Sequence, residues 1–304
     1  MSHDKLVQDA SVPVSEQPTR QSALYDRVAE QTASMIIREY STSFGMAARL
    51  LGAGVRQDVE NIYGLVRLAD EIVDGVAAYA GVSEKEIRRL LDELEEETEA
   101  AMQRGYSTNL VVHAFALTAR RTGIEPDLTR PFFKSMRVDI TRVTHTPKSF
   151  DDYVYGSAEV VGLMCLKAFL VGQDLTPEQN DTFVMGARKL GAAFQKVNFL
   201  RDLSADVDAL GRSYFPGINI ATFTEADKQR LVEDIDADLA VSGAIVPLLP
   251  STSRKAVALA QSLFAELNRR IARTPAVELK HTRVSVPTFV KARLALAVLM
   301  GKTS

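Results

Sequence analysis

The sequence predicts an all-α protein, a single domain of helices around a central cavity. No segment of the 304 residues alternates apolar and polar side chains between turn signals, as a half-buried strand does. Many segments instead repeat apolar residues every three or four positions behind good N-cap residues. Two of them, around Asp70 and Asp202, also carry acidic residues on one face. We expect about eight to ten helices in residues 22–304 and a disordered tail in residues 1–21.

The composition narrows the possible classes of function. Hydrophobic residues make up 46% of the chain and charged residues 25%, and a net charge of −3 leaves no basic footprint for nucleic acid. Cys165 is the only cysteine and there are four histidines, which argues against a disulfide or a His/Cys zinc site. Any bound metal should therefore be a hard cation held by carboxylates.

The chain shows no sign of membrane insertion. No apolar run reaches the roughly 18 residues of a spanning helix. The N-terminus Met1–Lys5 lacks the apolar core of a signal peptide. We expect a cytoplasmic location.

The first predicted helix, Leu24–Ile37, ends at a hydroxyl-rich break over Tyr40–Gly45. The break could leave N–H donors free for an anion, or it could be an ordinary N-cap. A second helix, Val55–Ala78, is largely apolar. One of its faces carries, at steps of four, three and four, Tyr63, Arg67, Asp70 and Asp74.

The middle of the chain predicts outer helices and one apolar helix. A capping box at Ser83 opens an acidic helix that we interpret as a solvated face. Two amphipathic helices follow, Asn109–Arg121 and Pro131–Thr144. The segment Phe150–Leu170 mixes small and apolar residues, which suits close helix packing or room for a flat hydrocarbon.

A strong start signal at Thr176–Gln179 opens a long helix that we expect to run to about Leu210. At steps of three, four and four it carries Gln195, Asn198, Asp202 and Asp206. Like charges one turn apart cost about 0.2–0.5 kcal/mol, and no cation lies on that stripe. We therefore expect Asp202→Ala to stop turnover and leave the fold intact. Further helices are predicted to begin at Thr224, near Ser251–Ser253 and at Pro287.

Two acidic faces across a cavity suggest shared Mg²⁺, which binds a few carboxylates together with substrate phosphates. Arg67 and Arg212 would contact the phosphates. The rest of the predicted cavity wall is apolar, with Phe44, Tyr63, Tyr153, Val161, Leu190 and Phe194. A cavity that binds diphosphate at one end and hydrocarbon at the other suits a prenyl diphosphate.

These segments resemble the squalene/phytoene synthase family between Tyr40 and Pro216. The residues that resemble its second aspartate-rich signature are Asn198-Phe199-Leu200-Arg201-Asp202, Asp206 and Gly211-Arg212-Ser213-Tyr214-Phe215-Pro216. Tyr63, Arg67, Asp70, Glu71 and Asp74 match the first signature, and the segment Tyr153–Gly162 matches a central Tyr- and Gly-containing motif. In the C-terminal third, only Arg283-Val284-Ser285 is similar.

The resemblance implies an isoprenoid-synthase helical bundle that couples two prenyl diphosphates head to head, through a cyclopropylcarbinyl diphosphate. It implies Mg²⁺ or Mn²⁺ at Asp70, Asp74, Asn198, Asp202 and Asp206. The implied catalytic residues are these five with Tyr63, Arg67, Tyr153 and Gln195. The implied substrate-binding residues are Ser41, Ser43, Phe44, Ala158, Val161, Gly162, Ala187, Leu190, Phe194, Arg212 and Tyr214.

Two positions depart from the family pattern. Ala205 stands where members usually carry Glu, and Glu159 stands where they usually carry Gly. A carboxylate at position 159 needs a partner that the sequence does not identify.

The expected product is phytoene from two molecules of geranylgeranyl diphosphate, without NADPH. Squalene or dehydrosqualene synthesis from farnesyl diphosphate is the alternative; squalene needs NADPH, and no Gly-x-Gly-x-x-Gly occurs. A di-iron bundle would need Glu-x-x-His motifs on two helices, and the sequence has only one, Glu278–His281. An inactive scaffold would be expected to lack one of the four aspartates. We expect a monomer or weak homodimer that touches the inner face of the cell membrane loosely.

Overall fold

The computed structural model describes residues 20–141, 144–203 and 214–301, apart from the side chain of Ala78. Every regular element in these ranges is helical, which confirms the predicted class. The α-helices are α1 (Arg20–Tyr40), α2 (Thr42–Ala48), α3 (Ala53–Val73), α4 (Val76–Tyr79), α5 (Glu84–Arg104), α6 (Leu110–Thr122), α7 (Pro126–Thr141), α8 (Pro147–Val154), α9 (Val160–Phe169), α10 (Pro177–Arg201), α11 (Glu225–Ile245), α12 (Ser251–Arg273), α13 (Ala276–Leu279) and α14 (Thr288–Leu299). A π-helical turn (Tyr155–Glu159) joins α8 to α9, and 3₁₀ turns occupy Ile220–Thr222 and Val246–Leu248.

The start signals in the sequence correspond to real helix caps. Thr176 and Thr224 each close a full capping box, at the start of α10 and α11. Ser83 accepts a hydrogen bond from the backbone N–H of Glu86 at the start of α5. These bonds satisfy N–H groups that the first helical turn leaves without partners.

Several predicted boundaries were wrong. Helix α1 begins at Arg20, so it includes the last two residues of the predicted tail 1–21; the rest of that prediction lies outside the described residues. The predicted helix Val55–Ala78 ends at Val73, where Asp74 leaves helical geometry (φ −124°, ψ −5°). The predicted helix Pro131–Thr144 begins instead at Pro126. The apolar segment Phe150–Leu170 is divided by the π-helical turn.

Helix α10 lies at the centre of the packing, in contact with the π-helical turn, α9, α11 and α12. Its crossing with the preceding segment depends on two glycines. A Cβ at Gly162 would lie 2.6 Å from the carbonyl oxygen of Ala187, and one at Gly191 would lie 2.6 Å from that of Ala158. Because real Cβ atoms do not approach so closely, only glycine permits this backbone contact. Close packing and cavity formation therefore occur in the same segment.

No helix within the described ranges is long and apolar enough to cross a membrane.

Candidate active site

A cavity of about 630 Å³ lies among α2, α3, α9, α10, α11, α12 and the π-helical turn. Its size falls within the roughly 300–1,000 Å³ of small-molecule sites. Its wall brings together these residues from the prediction: Ser41, Ser43, Phe44, Tyr63, Arg67, Ala158, Val161, Gly162, Ala187, Leu190, Phe194, Gln195 and Asn198. Apolar side chains that the prediction omitted extend the wall, among them Leu166, Phe169, Phe183, Ile245, Leu249 and Phe264.

The hydroxyl-rich break is much shorter than predicted. Helix α1 ends at Tyr40 and α2 begins at Thr42, so Ser41 alone separates them. The Ser41 hydroxyl accepts a hydrogen bond from the N–H of Phe44 at 3.2 Å. That bond makes Ser41 an ordinary N-cap, and the Phe44 N–H is already occupied.

Arg67 connects the cavity with the first acidic face. Its Nη1 donates to Asp70 Oδ2 at 2.6 Å, its Nη2 donates to Glu71, and its guanidinium lies 4.3 Å from the centre of the Tyr40 ring. The Arg67 Nε is buried and has no hydrogen-bond partner in the described structure. A buried N–H donor without a partner is costly, so this atom is well suited to an anionic ligand in the cavity.

Asp70 is a perturbed carboxyl group. Burial raises its pKa to about 6 against the opposing charge of Arg67. The neighbouring charges of Asp74 and Glu71 add to the rise. Asp74 itself is the C-cap of α3, and its charge also acts on Tyr153. Neither Asp70 nor Asp74 lies on the cavity wall as described.

The second acidic face differs from the prediction at Asp202. Helix α10 ends at Arg201 and not near Leu210, and Asp202 adopts non-helical angles (φ −97°, ψ 14°). Its carboxylate accepts hydrogen bonds from Arg201 Nε at 3.0 Å and Arg283 Nε at 2.6 Å. The predicted stripe itself carries no cation, and two arginines that lie off the stripe pair with this carboxylate. Burial alone would raise the pKa of Asp202, but the two arginines together lower it.

The partners of Asp202 also face the cavity. Arg201 and Arg283 both lie on its wall, so with Arg67 three guanidinium groups line it. No role was predicted for Arg201 or Arg283, although Arg201 lies inside the Asn198–Asp202 signature. Arg283 is 81 residues from Asp202, and its only signal was the short Arg283–Ser285 similarity.

Tyr153 and Tyr214 do not lie on the described cavity wall, contrary to prediction. Their rings pack 5.6 Å apart, and Phe199 stacks on Tyr214 at 4.0 Å. The Tyr153 hydroxyl donates to Asp139 Oδ2 at 2.9 Å. Burial, reinforced by the Asp139 charge, raises the pKa of Tyr153 well above its usual value. Tyr153 is thus a neutral hydrogen-bond donor fixed in an aromatic cluster.

The structure supplies the missing partner of Glu159. Its carboxylate accepts from Arg188 Nε at 2.6 Å, across the crossing of the π-helical turn with α10. The Arg188 guanidinium also lies 5.2 Å from the centre of the Tyr155 ring. The departure at position 159 is therefore compensated by an ion pair.

The predicted metal ligands have the right donor atoms for a divalent cation, but the described structure does not gather them at one point. The predicted ligands are oxygen donors, which suit Mg²⁺. Within residues 20–141, 144–203 and 214–301, however, no three acidic, histidine or cysteine side chains gather closely enough to hold a metal. The predicted ligand Asp206, the predicted phosphate contact Arg212 and the departure at Ala205 all lie outside the described residues.

Comparisons with known proteins identify the chain's relatives. The family model for squalene/phytoene synthase matches residues 37–290. A phytoene synthase of Arthrospira platensis is 30% identical over 233 residues, covering 73% of this chain and 71% of that protein. A 15-cis-phytoene synthase of Paracoccus sp. (strain N81106 / MBIC 01143) is 30% identical over 190 residues, 61% of this chain and 59% of that one.

Solved structures agree on the fold. A dehydrosqualene synthase crystal structure superposes with a TM-score of 0.73 at 22% identity, over 91% of this chain and 98% of the other. A squalene synthase of Alicyclobacillus acidocaldarius gives 0.70 at 19% identity, over 83% and 97%. The family model covers well over half of the 304 residues, and both structures share the helical fold. This chain belongs to the squalene/phytoene synthase family of prenyltransferases.

Proposed function

We propose that this protein is a phytoene synthase that couples two molecules of geranylgeranyl diphosphate. The observation that carries the proposal is the cavity wall, where three guanidinium groups adjoin extended aliphatic and aromatic surface. Such a wall matches a ligand with a diphosphate head and a hydrocarbon chain. The two relatives described above, both 30% identical, are phytoene synthases, which favours phytoene over squalene.

In the proposed reaction, Arg67, Arg201 and Arg283 bind diphosphate and stabilise the negative charge that develops as it leaves. The buried Arg67 Nε offers one donor for a phosphate oxygen. The rings of Phe44 and Tyr63 stack 5.8 Å apart on the cavity wall. Their faces would stabilise the allylic cation by about 0.5–2 kcal/mol each.

The remaining apolar wall excludes water, so that the cation is attacked by a double bond of the second prenyl chain, and loss of one proton closes the ring of the cyclopropylcarbinyl diphosphate. Loss of the second diphosphate, rearrangement and loss of a second proton then give the hydrocarbon. No hydride donor enters this balance, so NADPH is not required. Gln195 and Asn198, both on the wall, would orient the phosphates.

A divalent cation, Mg²⁺ or Mn²⁺, would be held by Asp70, Asp74, Asn198, Asp202 and Asp206. When bound it would supply charge neutralisation for the diphosphates.

We also propose a cytoplasmic protein, monomeric or weakly dimeric, that contacts the inner face of the membrane. The hydrocarbon product makes that contact useful, because it dissolves in lipid and not in water.

Product analysis tests the proposal. Purified protein should make phytoene from geranylgeranyl diphosphate with Mg²⁺ and without NADPH. Squalene made only with NADPH, or dehydrosqualene made only from farnesyl diphosphate, would replace this assignment.

A matched pair of variants tests the role of the arginines. The side chains of Arg283 and Arg230 are both 66% exposed, but only Arg283 lines the cavity. Loss of a charged hydrogen bond to diphosphate should lower kcat/KM about 10–100-fold in Arg283→Gln. Arg230→Gln should behave as wild type. Equal effects of the two substitutions would exclude a specific phosphate contact.

A further inference from the structure

Helix α14 has two apolar faces, which is unusual for a helix at the surface of a protein. Its only polar residues are Thr288, Lys291 and Arg293. One face packs against the protein: Leu294, Ala295 and Val298 join a hydrophobic cluster of buried residues. Five residues of that cluster also lie on the cavity wall, namely Leu166, Phe183, Ile245, Leu249 and Val257. Helix α14 therefore covers part of the cavity wall from outside.

The other face is exposed and apolar. The exposed fractions of its large side chains are 73% for Phe289, 57% for Leu296, 50% for Leu299 and 59% for Met300. Phe289, Arg293, Leu296 and Met300 follow each other at steps of four, three and four, so they share one face. We call this face the α14 stripe. Exposed apolar side chains that are contiguous on one face mark an interaction surface.

The charges that the sequence places next to the α14 stripe are of one sign. From Lys280 to Gly301 the sequence contains four Lys or Arg residues and no Asp or Glu, although acidic residues outnumber basic ones, 39 to 36, in the chain as a whole. Arg293 lies on the stripe itself and is exposed. Lys291 lies on the inner face with Leu294 and Val298, where it donates to Thr42 Oγ1 at 3.2 Å, and Thr42 lies on the cavity wall. The surface thus combines insertion of apolar side chains with attraction to negative charge.

We propose that the α14 stripe docks on an anionic lipid surface. Phe289, Leu296 and Met300 enter the boundary of the acyl chains, and Arg293 contacts the phosphate head groups. A second copy of the chain fits this surface less well, because a two-fold contact would bring the Arg293 side chains of both copies into one apolar interface. The inference deepens the membrane contact proposed above by naming its surface and the charge of the lipid.

Docking in this orientation would place the cavity close to the bilayer. The inner face of α14 packs on the cluster that forms the cavity wall, and Lys291 is bonded to Thr42 on that wall. The bilayer would then lie one helix away from the hydrocarbon part of the cavity. A water-insoluble substrate or product could pass between them over a short path.

Vesicle flotation of the full-length protein, without substrate, tests the proposal. Phosphatidylcholine vesicles are compared with vesicles in which about one third of the lipid is phosphatidylglycerol. Wild type should float with the anionic vesicles. Phe289→Gln with Leu296→Gln should lower its partitioning about tenfold or more. Arg293→Gln should lower it about fivefold, and only on anionic vesicles. Met35→Gln is the matched control, since Met35 is 58% exposed on α1, and it should bind as wild type.

The proposal fails if wild type floats with neither lipid, or if the double variant floats as wild type does. It also fails if sedimentation shows a wild-type dimer that the double variant separates into monomers, because the stripe would then be a contact between copies. Coupling activity in detergent separates this inference from the proposed function. The double variant should keep full activity there, and absence of coupling in the wild type would contradict the reaction without affecting the flotation result.

Discussion

Asp202 offers a direct test of the site, because the sequence and the structure predict opposite effects on stability. From the sequence, Asp202→Ala removes a like-charge repulsion and leaves the fold intact or slightly stabilised, by about 0.2–0.5 kcal/mol. In the structure, the same change removes the acceptor of two arginines. The sign of the change in unfolding free energy decides between these descriptions.

The magnitude follows from exposure. The side chains of Asp202 and Arg201 are 22% and 23% exposed, and two hydrogen bonds join them. Partly buried bonds between charged groups contribute about 1.5–3 kcal/mol, less some solvent screening. Arg283 is 66% exposed, and its pair contributes about 0–1 kcal/mol. We therefore expect Asp202→Ala to lower the free energy of unfolding by about 2 kcal/mol.

Denaturant unfolding at neutral pH measures this quantity. A double-mutant cycle with Arg283→Gln should give a coupling energy below about 1 kcal/mol, because that partner is largely solvated. The pKa of Asp202 is lowered in the folded state, so its contribution is present above the unfolded pKa of about 3.9. It is lost as the pH falls through the folded pKa. Wild type and variant should thus converge below about pH 4. A variant as stable as wild type at pH 7 would refute the arginine contacts.

Three further predictions concern the cavity, the π-helical turn and the first acidic face. Ala187→Phe adds a ring to the cavity wall and should shift use towards farnesyl diphosphate or stop turnover; product analysis showing unchanged use of the longer substrate would contradict this. Glu159→Gln breaks the pair with Arg188, whose side chain is 49% exposed, and should cost about 1 kcal/mol in unfolding. The double variant with Arg188→Gln should lose little more unfolding free energy than Glu159→Gln alone. A loss equal to the sum of the two single variants would count against the ion pair. Because the pKa of Asp70 is raised to about 6, its carboxyl is protonated below that pH, and calorimetry should find weaker Mg²⁺ binding there. Affinity that does not change with pH would remove Asp70 from the ligand set.

The features that could be predicted from the sequence are those set by residues a few positions apart, such as helix caps and apolar helix faces. The caps at Thr176 and Thr224 depend on residues three positions away, and both formed as predicted. The apolar and small residues of α9 and α10 recur at helical spacing, and the structure places them on one cavity. The π-helical turn was missed because one extra residue per turn barely changes the apolar period over a short segment.

Contacts across the fold could not be predicted in this way. Glu159 pairs with a residue 29 positions away, and Asp202 with one 81 positions away. A stripe of like charges on one helix says nothing about cations that other segments bring to it. The role of Tyr153 was similarly obscured, because its partner Asp139 is a buried carboxylate on α7.

The shared arginines give a final prediction about how the site responds to anions. Arg201 and Arg283 line the cavity and also hold Asp202, so a bound diphosphate must share these cations with the carboxylate. Without divalent metal, Asp202→Ala should therefore bind inorganic diphosphate more tightly than wild type, by about three- to tenfold, since no carboxylate competes for the guanidinium groups. Calorimetry with diphosphate in EDTA measures the two affinities. Asp234→Ala is the control, since it removes an acidic partner of Lys196, and neither of these residues lines the cavity. Equal or weaker binding by Asp202→Ala would show that the arginines do not serve the carboxylate and the phosphate in common.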